Sequence, residues 1–123
     1  MYHQIMQLVI VGVGYVGLIT GLSFAKIGHN VSFIDTDKDK INVLNHFRPP
    51  FIEPELKDYL LNSEVQQNTQ FFDNYNDIKW DSIDAVIICV QTPTTEEGDV
   101  DISYISSVFH NIKDLIDNET IIC

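Results

Sequence analysis

The chain has 123 residues, 45% of them hydrophobic and 20% charged, with a formal net charge of −11. A chain of that length makes one domain with a real core, and it holds no long polar tract of the kind that stays disordered. The acidic balance excludes nucleic acid and anionic membrane surfaces as partners, because both call for a basic face.

Leu8 to Val13 is a short, continuous apolar run rich in Val and Ile, which predicts a strand buried on both faces, as in parallel sheets. Residues from Met1 to Ala25 include no Asp, Glu, Lys or Arg, a length sufficient to span a bilayer. Gly12, Gly14, Gly17 and Gly21 break that stretch and no Lys or Arg precedes it, so neither a membrane span nor a signal peptide is expected. From Gly14 to Ile27 the pattern turns helical, with Val16, Ile19, Leu22, Phe24 and Ile27 as apolar positions. Gly28 ends that helix. Val31 to Ile34 predicts a second strand, and Asp37 to Asn45 a short helix with Ile41 and Leu44 inward. Arg48-Pro49-Pro50 is a break, and Pro54 suits the first turn of a further helix with Leu56, Tyr59 and Leu60 as its stripe. Gln70 to Phe72 and Ala85 to Val90 predict the third and fourth strands, and Thr92 to Asp101 a polar loop. Ser103 to Ile116 predicts a helix with Ile105, Val108, Ile112 and Ile116 on one face, and Thr120 to Cys123 opens a fifth strand.

Strands alternating with helices imply βαβ units, right-handed crossovers and a parallel sheet. The expected class is α/β, a Rossmann-type doubly wound sheet in strand order 3-2-1-4-5, with a ligand crevice at the carboxyl ends of strands 1 and 4. Ending inside a strand suggests truncation, so residues 1–123 are expected to be one domain whose partner domain is absent. Cys89 and Cys123 make neither a disulfide framework nor a metal site. Cys89, inside an apolar run, reads as a small packed hydrophobe, with a reactive thiol as the alternative, and a reduced cytoplasmic setting is consistent with both cysteines.

Gly12-Val13-Gly14-Tyr15-Val16-Gly17 is a GxGxxG turn leaving a predicted strand and opening a predicted helix, the context in which that pattern signals a dinucleotide site. Gly12 allows the sharp turn, Gly14 the approach of a pyrophosphate, and Gly17 close packing of helix on sheet. Gly21, one turn on, serves the same packing. The helix start then offers amides and a positive dipole end to the phosphates. Asp35 ends the second strand, where an acid accepts from both adenosine ribose hydroxyls and repels the extra phosphate of NADP, so the expected cofactor is NAD. The alternative is a set of turn glycines with an unrelated aspartate. Cys89-Val90-Gln91-Thr92-Pro93-Thr94 follows the fourth strand. It brings Val90 and Thr92 across the crevice towards the cofactor's second half, unless this is an ordinary strand-ending turn. Lys40 lies where it reaches the ribose or a phosphate, or is a solvated surface lysine.

With these residues in place the chain resembles the nucleotide-sugar 6-dehydrogenase family, typified by UDP-glucose and GDP-mannose dehydrogenases. The likeness runs through Gly12 to Leu18, Gly28-His29-Asn30-Val31, Asp35-Thr36-Asp37 with Lys40-Ile41, Pro50-Phe51-Ile52-Glu53-Pro54-Glu55-Leu56, Thr92-Pro93 and Gly98-Asp99-Val100-Asp101-Ile102-Ser103-Tyr104. The resemblance implies cofactor roles for Val13 to Gly17, Asp35, Lys40 and Thr92. It also implies a two-domain, homodimeric oxidoreductase of polysaccharide biosynthesis that oxidises the sugar C6 alcohol to an acid with two NAD. A cysteine of the second domain would act through a thiohemiacetal and a thioester. The Gly98 to Asp101 spacing favours UDP-glucose. The nucleophile region and sugar pocket of that family have no counterpart here. Neither Cys123 nor Glu53 takes a catalytic role, and the chain alone is expected to bind NAD without turnover. Two readings compete: the cofactor domain of a hydroxyacyl-CoA or hydroxyacid dehydrogenase, and a non-catalytic NAD-sensing module.

Overall fold

The computed structural model describes residues 4–123. Five parallel strands form one sheet in the order β3-β2-β1-β4-β5, as the sequence predicts. β1 (Gln7–Val11) is the central strand. It pairs on one side with β2 (Asn30–Ile34), from Gln7↔Asn30 to Val11↔Ile34, and on the other with β4 (Ala85–Ile88), from Leu8↔Ala85 to Val11↔Ile88. β3 (Thr69–Phe72) and β5 (Ile121–Ile122) flank them.

Strand side chains alternate between faces, and β1 supplies both halves of the core. Leu8 and Ile10 join Val31, Phe33 and Phe71 under a layer of helices. Val9 and Val11 face the other way, with Ile34, Val86, Trp80 and Val108. The first layer holds α1 (Tyr15–Lys26), α2 (Lys38–Asn45), α3 (Pro54–Leu61) and α4 (Ser63–Asn68); the second holds α5 (Ser103–Ile112) and two 3₁₀ turns, Tyr75–Asp77 and Trp80–Ser82. Each fully buried Leu, Ile or Phe contributes about 1.5–3 kcal/mol. None of the described helices is long and apolar enough to cross a membrane.

The helix starts follow from local chemistry. Asp37 caps α2, its carboxylate accepting from the Lys40 N–H at 3.1 Å. Pro54 opens α3, where its missing N–H has no helical partner to lose. Asn62 caps α4, accepting from the Glu64 and Val65 N–H groups.

Gly17 and Gly21 pack α1 on the sheet as expected, and two element ends are corrected. The buried face of α1 is Gly17, Leu18, Gly21, Leu22 and Ala25, whereas Val16 and Ile27 stay 66% and 59% exposed. Small residues at i, i+4 and i+8 let the helix settle onto the sheet, and that close approach outweighs the more apolar but bulkier stripe. β4 stops at Ile88, short of Val90, and α5 stops at Ile112, with Leu115 and Ile116 packing on the core as irregular chain. α4 lies in a polar stretch where no apolar periodicity announces it; its Asn62 cap and the buried Val65 hold it.

Gly21 makes the close approach testable. A methyl group there would overlap the Phe33 ring and lie 2.9 Å from Ile10 Cγ1, and Phe33 is itself stacked on Phe71 at 5.0 Å. Replacing a helical Gly by Ala ordinarily gains about 1 kcal/mol, while overpacking a core costs about 1–3 kcal/mol. Gly21→Ala is therefore expected to lower stability in urea denaturation. A more stable variant would show that α1 and the sheet are not in tight contact.

Candidate functional site

The carboxyl ends of β1, β2 and β4 converge on the glycine turn. The Gly12 N–H donates to the Ile34 carbonyl and the Cys89 N–H to the Val11 carbonyl, both at 2.8 Å. Gly12 has φ +103°, and a Cβ there would come within 2.6 Å of the Cys89 carbonyl oxygen. Only glycine suits that corner. Gly17 packs on the turn from below, where a Cβ would overlap the Gly12 oxygen and approach Cys89 Cβ at 3.2 Å.

Gly14 differs. It has ordinary backbone angles, φ −70° and ψ −176°, and a Cβ built on it would meet nothing within 4 Å. The fold itself therefore tolerates a side chain at Gly14, and the space above it is free for a ligand. Gly14 is also the N-cap of α1, with no side-chain cap and no acidic residue in the first helical turn. The first amides of the helix thus lack an internal partner, and no carboxylate of the helix's own first turn occupies the positive end of the dipole.

Asp35 follows β2 at the same edge. Its Oδ2 accepts from the Val13 N–H at 2.9 Å and its Oδ1 from the Asp37 N–H at 2.8 Å. The carboxylate thus holds the glycine turn and the start of α2 in register, a role the sequence does not disclose.

A cleft of about 300 Å³ opens here, lined by Gly12, Gly14, Asp35, Lys40, Tyr75 and Val90 among others. Five of the sequence-derived candidates thus share one cavity: Gly12, Gly14, Asp35, Lys40 and Val90. Lys38 pairs with Asp73 at 3.3 Å, while Lys40 turns to the cleft. Val13 and Gly17 are buried beneath the turn. Tyr15 and Val16 are exposed beside it, and the Tyr15 hydroxyl donates to Glu55 at 3.4 Å. Thr92 stands exposed in the loop beyond β4 and is not part of the cleft wall. Sequence reasoning missed Tyr75 and, from α5, Tyr104, Ser107 and Asn111, all of which line the cleft. The aromatic pair Tyr75 and Trp80, shortly after β3, was the available signal; Tyr104 closes the Gly98 to Tyr104 stretch that carries the family likeness, while Ser107 and Asn111 belong to no motif.

Residues 6–123 match the model of the UDP-glucose/GDP-mannose dehydrogenase family, NAD binding domain. The chain belongs to this family. Its cofactor is NAD. UDP-glucose 6-dehydrogenase of Rickettsia felis is 32% identical over 117 residues, which cover 95% of this chain and 26% of that protein. An uncharacterized protein of Methanocaldococcus jannaschii, MJ1054, is 38% identical over 114 residues, 93% of this chain and 12% of that one. Among solved structures, GDP-mannose dehydrogenase from Pseudomonas aeruginosa superposes with a TM-score of 0.83 at 29% identity, over 95% of this chain and 28% of its own. UDP-D-ManNAc dehydrogenase from Pyrococcus horikoshii gives 0.85 at 30%, over 95% and 27%. The chain thus spans a quarter or so of the length of most of these relatives, and less of MJ1054. The fit to the family's cofactor rests on the chain itself, in the open space over Gly14 and the uncapped start of α1.

Cys89 also lines the cleft, and burial pushes its thiol pKa up. A raised pKa keeps the thiol protonated at neutral pH, and the thiolate is the reactive form. Alkylation of the folded chain is therefore expected at the exposed Cys123 about tenfold or more faster than at Cys89. The Cys89 rate should climb only above the ordinary thiol range. Peptide mapping after timed alkylation checks both, and faster labelling of Cys89 would show an activated thiol.

Proposed function

We propose that NAD lies across this cleft with its pyrophosphate over Gly12, Val13, Gly14, Tyr15, Val16 and Gly17, and its adenosine ribose on Asp35. Lys40 serves the ribose or a phosphate, while Val90 and Thr92 flank the nicotinamide half. Gly14 carries this reading: it is the one glycine of the turn that the surrounding protein does not require, so its missing Cβ matters to a ligand. Asp35 enters the site already oriented by two backbone N–H donors, and each of its oxygens keeps acceptor capacity for a hydroxyl. Its charge opposes a 2′-phosphate, which favours NAD over NADP.

In the full-length protein, bound NAD supplies the hydride acceptor for oxidation of a nucleotide sugar at C6. UDP-glucose, converted to UDP-glucuronate with two NAD, is the substrate best supported, because several relatives at 29–34% identity are named UDP-glucose 6-dehydrogenase. Structural neighbours named for GDP-mannose and UDP-D-ManNAc make the sugar the point to test. The full-length enzyme is read as a cytoplasmic homodimer of polysaccharide biosynthesis. The chain of residues 1–123 acts as its NAD-binding domain and performs no turnover by itself. Its part is to hold, orient and partly desolvate the cofactor.

Titration with NADH and with NADPH, followed by nicotinamide fluorescence, tests the site. The chain should saturate with NADH and bind NADPH much more weakly. Gly14→Ala should leave the melting temperature unchanged and weaken NADH by about tenfold or more, equivalent to ~1.4 kcal/mol. Asp35→Ala should weaken NADH by tens of fold, since a charged acceptor is worth about 1.5–3 kcal/mol, and should narrow the NADH/NADPH gap. Parent-like NADH affinity in Gly14→Ala would remove the pyrophosphate assignment. With the full-length enzyme, UDP-glucose should yield two NADH per sugar and outpace GDP-mannose and UDP-D-ManNAc. The reverse order would reassign the substrate.

A further inference from the structure

One wall of the cleft is used by none of the contacts assigned above. Tyr75 opens the 3₁₀ turn after β3 and lines the cleft, half-buried. Its ring is stacked on that of Trp80, with centroids 6.3 Å apart and planes 16° apart. The backbone is fixed as well: Trp80 Nε1 donates to the Tyr75 carbonyl at 2.7 Å, and the Asn74 side chain accepts from the Asn76 N–H at 2.9 Å. Tyr75 thus both packs its ring on Trp80 and borders the cleft. A ring held this way loses little freedom when a ligand lies against it. Asp35 lines the same cleft; burial first, and then the charge of that carboxylate, raise the Tyr75 hydroxyl pKa, so the phenol is neutral at physiological pH.

In a dinucleotide the base hangs from the ribose carbon next to the 2′-hydroxyl, so a ligand with its ribose hydroxyls on Asp35 carries its base within one ribose width of that acid. A flat, neutral, rigid ring in that place matches the face of a purine. We propose that Tyr75, buttressed by Trp80, is the stacking wall for the adenine of the cofactor. This rests on the placement of the ribose on Asp35.

Three ligands separate the parts: NADH, ADP-ribose, which carries the adenine, and nicotinamide mononucleotide, which lacks it. Trp80 is the sole tryptophan of the sequence, so its emission reports binding of the two that do not fluoresce. Tyr75→Phe keeps the ring and should bind NADH and ADP-ribose like the parent. Tyr75→Ala should weaken both by about tenfold, the scale of base–aromatic stacking, and leave nicotinamide mononucleotide unchanged. Tyr75→Leu, which keeps bulk without a π-face, should show the same selective loss and covers a failure of Tyr75→Ala to fold. Parent-like ADP-ribose binding in Tyr75→Leu, or equal losses for both half-ligands, overturns the stacking wall. Run alongside, Asp35→Ala distinguishes the two readings. A loss there with none at Tyr75 removes the wall alone, whereas no loss in either removes the ribose placement as well.

Discussion

Gly17 sits so close to the Gly12 carbonyl that a methyl group could not be placed between them. That contact sets the distance between α1 and the sheet, and much else follows from it. With α1 drawn in, Leu18 and Leu22 reach the core formed by Leu8, Ile10 and Phe33. The turn is held at the height where its N–H meets the Ile34 carbonyl, while the Cys89 N–H meets Val11. Three strands therefore end at one level, and the cleft is the space left above them. Packing and site are two outcomes of one steric constraint, which is why a methyl at Gly17 would disturb both while one at Gly14 meets no protein atom.

Asp35 has a comparable double character. Its two oxygens tie Val13 to Asp37, so the acid best placed to meet a ribose is also a strut between the glycine turn and α2. The arrangement keeps the carboxylate from swinging away, and it reduces what must be ordered when a ligand arrives. It stands against an unfavourable background, since a chain of net charge −11 repels an anionic dinucleotide at long range. In the proposed arrangement the local amides of the uncapped helix start have to prevail over that field. Such contacts act at short range, where salt screens them least.

The glycine turn and the acid after β2 were legible in the sequence because each depends on residues close together in the chain, and the strand order because strands alternating with helices and right-handed crossovers leave few topologies. Continuous apolar runs marked β1 and β4, and Pro54 and Asp37 marked helix starts. The buried face of α1 was legible at Gly17 and Gly21, whose missing side chains let the helix approach the sheet, but not at Leu18 and Ala25, because hydrophobic periodicity centred on Val16 and Ile27 points elsewhere. α4 was invisible for the opposite reason: a six-residue polar helix held by its Asn62 cap and one buried valine has no pattern to show. In the site, Gly12, Gly14, Asp35, Lys40 and Val90 were found together. Tyr75 and Asn111 were not, since only tertiary folding brings the segments after β3 and within α5 to one cavity. Thr92 was expected beside them by its position after β4; it lies exposed in the loop beyond that strand and does not line the cleft.

The central position of β1 has a consequence for how the chain assembles. Its partner β2 follows directly after α1, but its other neighbour is distant: the Gln7 N–H donates to the Asp84 carboxylate across 77 residues. During synthesis the first βαβ unit can form early from nearby contacts, while the far edge of β1 waits for β4. Long-range pairings of this kind slow folding, and an unpaired apolar strand edge is open to association with other chains in the meantime. The glycine turn is thus among the first parts of the cleft to leave the ribosome, and the wall provided by α5 among the last. A nascent chain holds the glycine turn before it has a cavity to put it in.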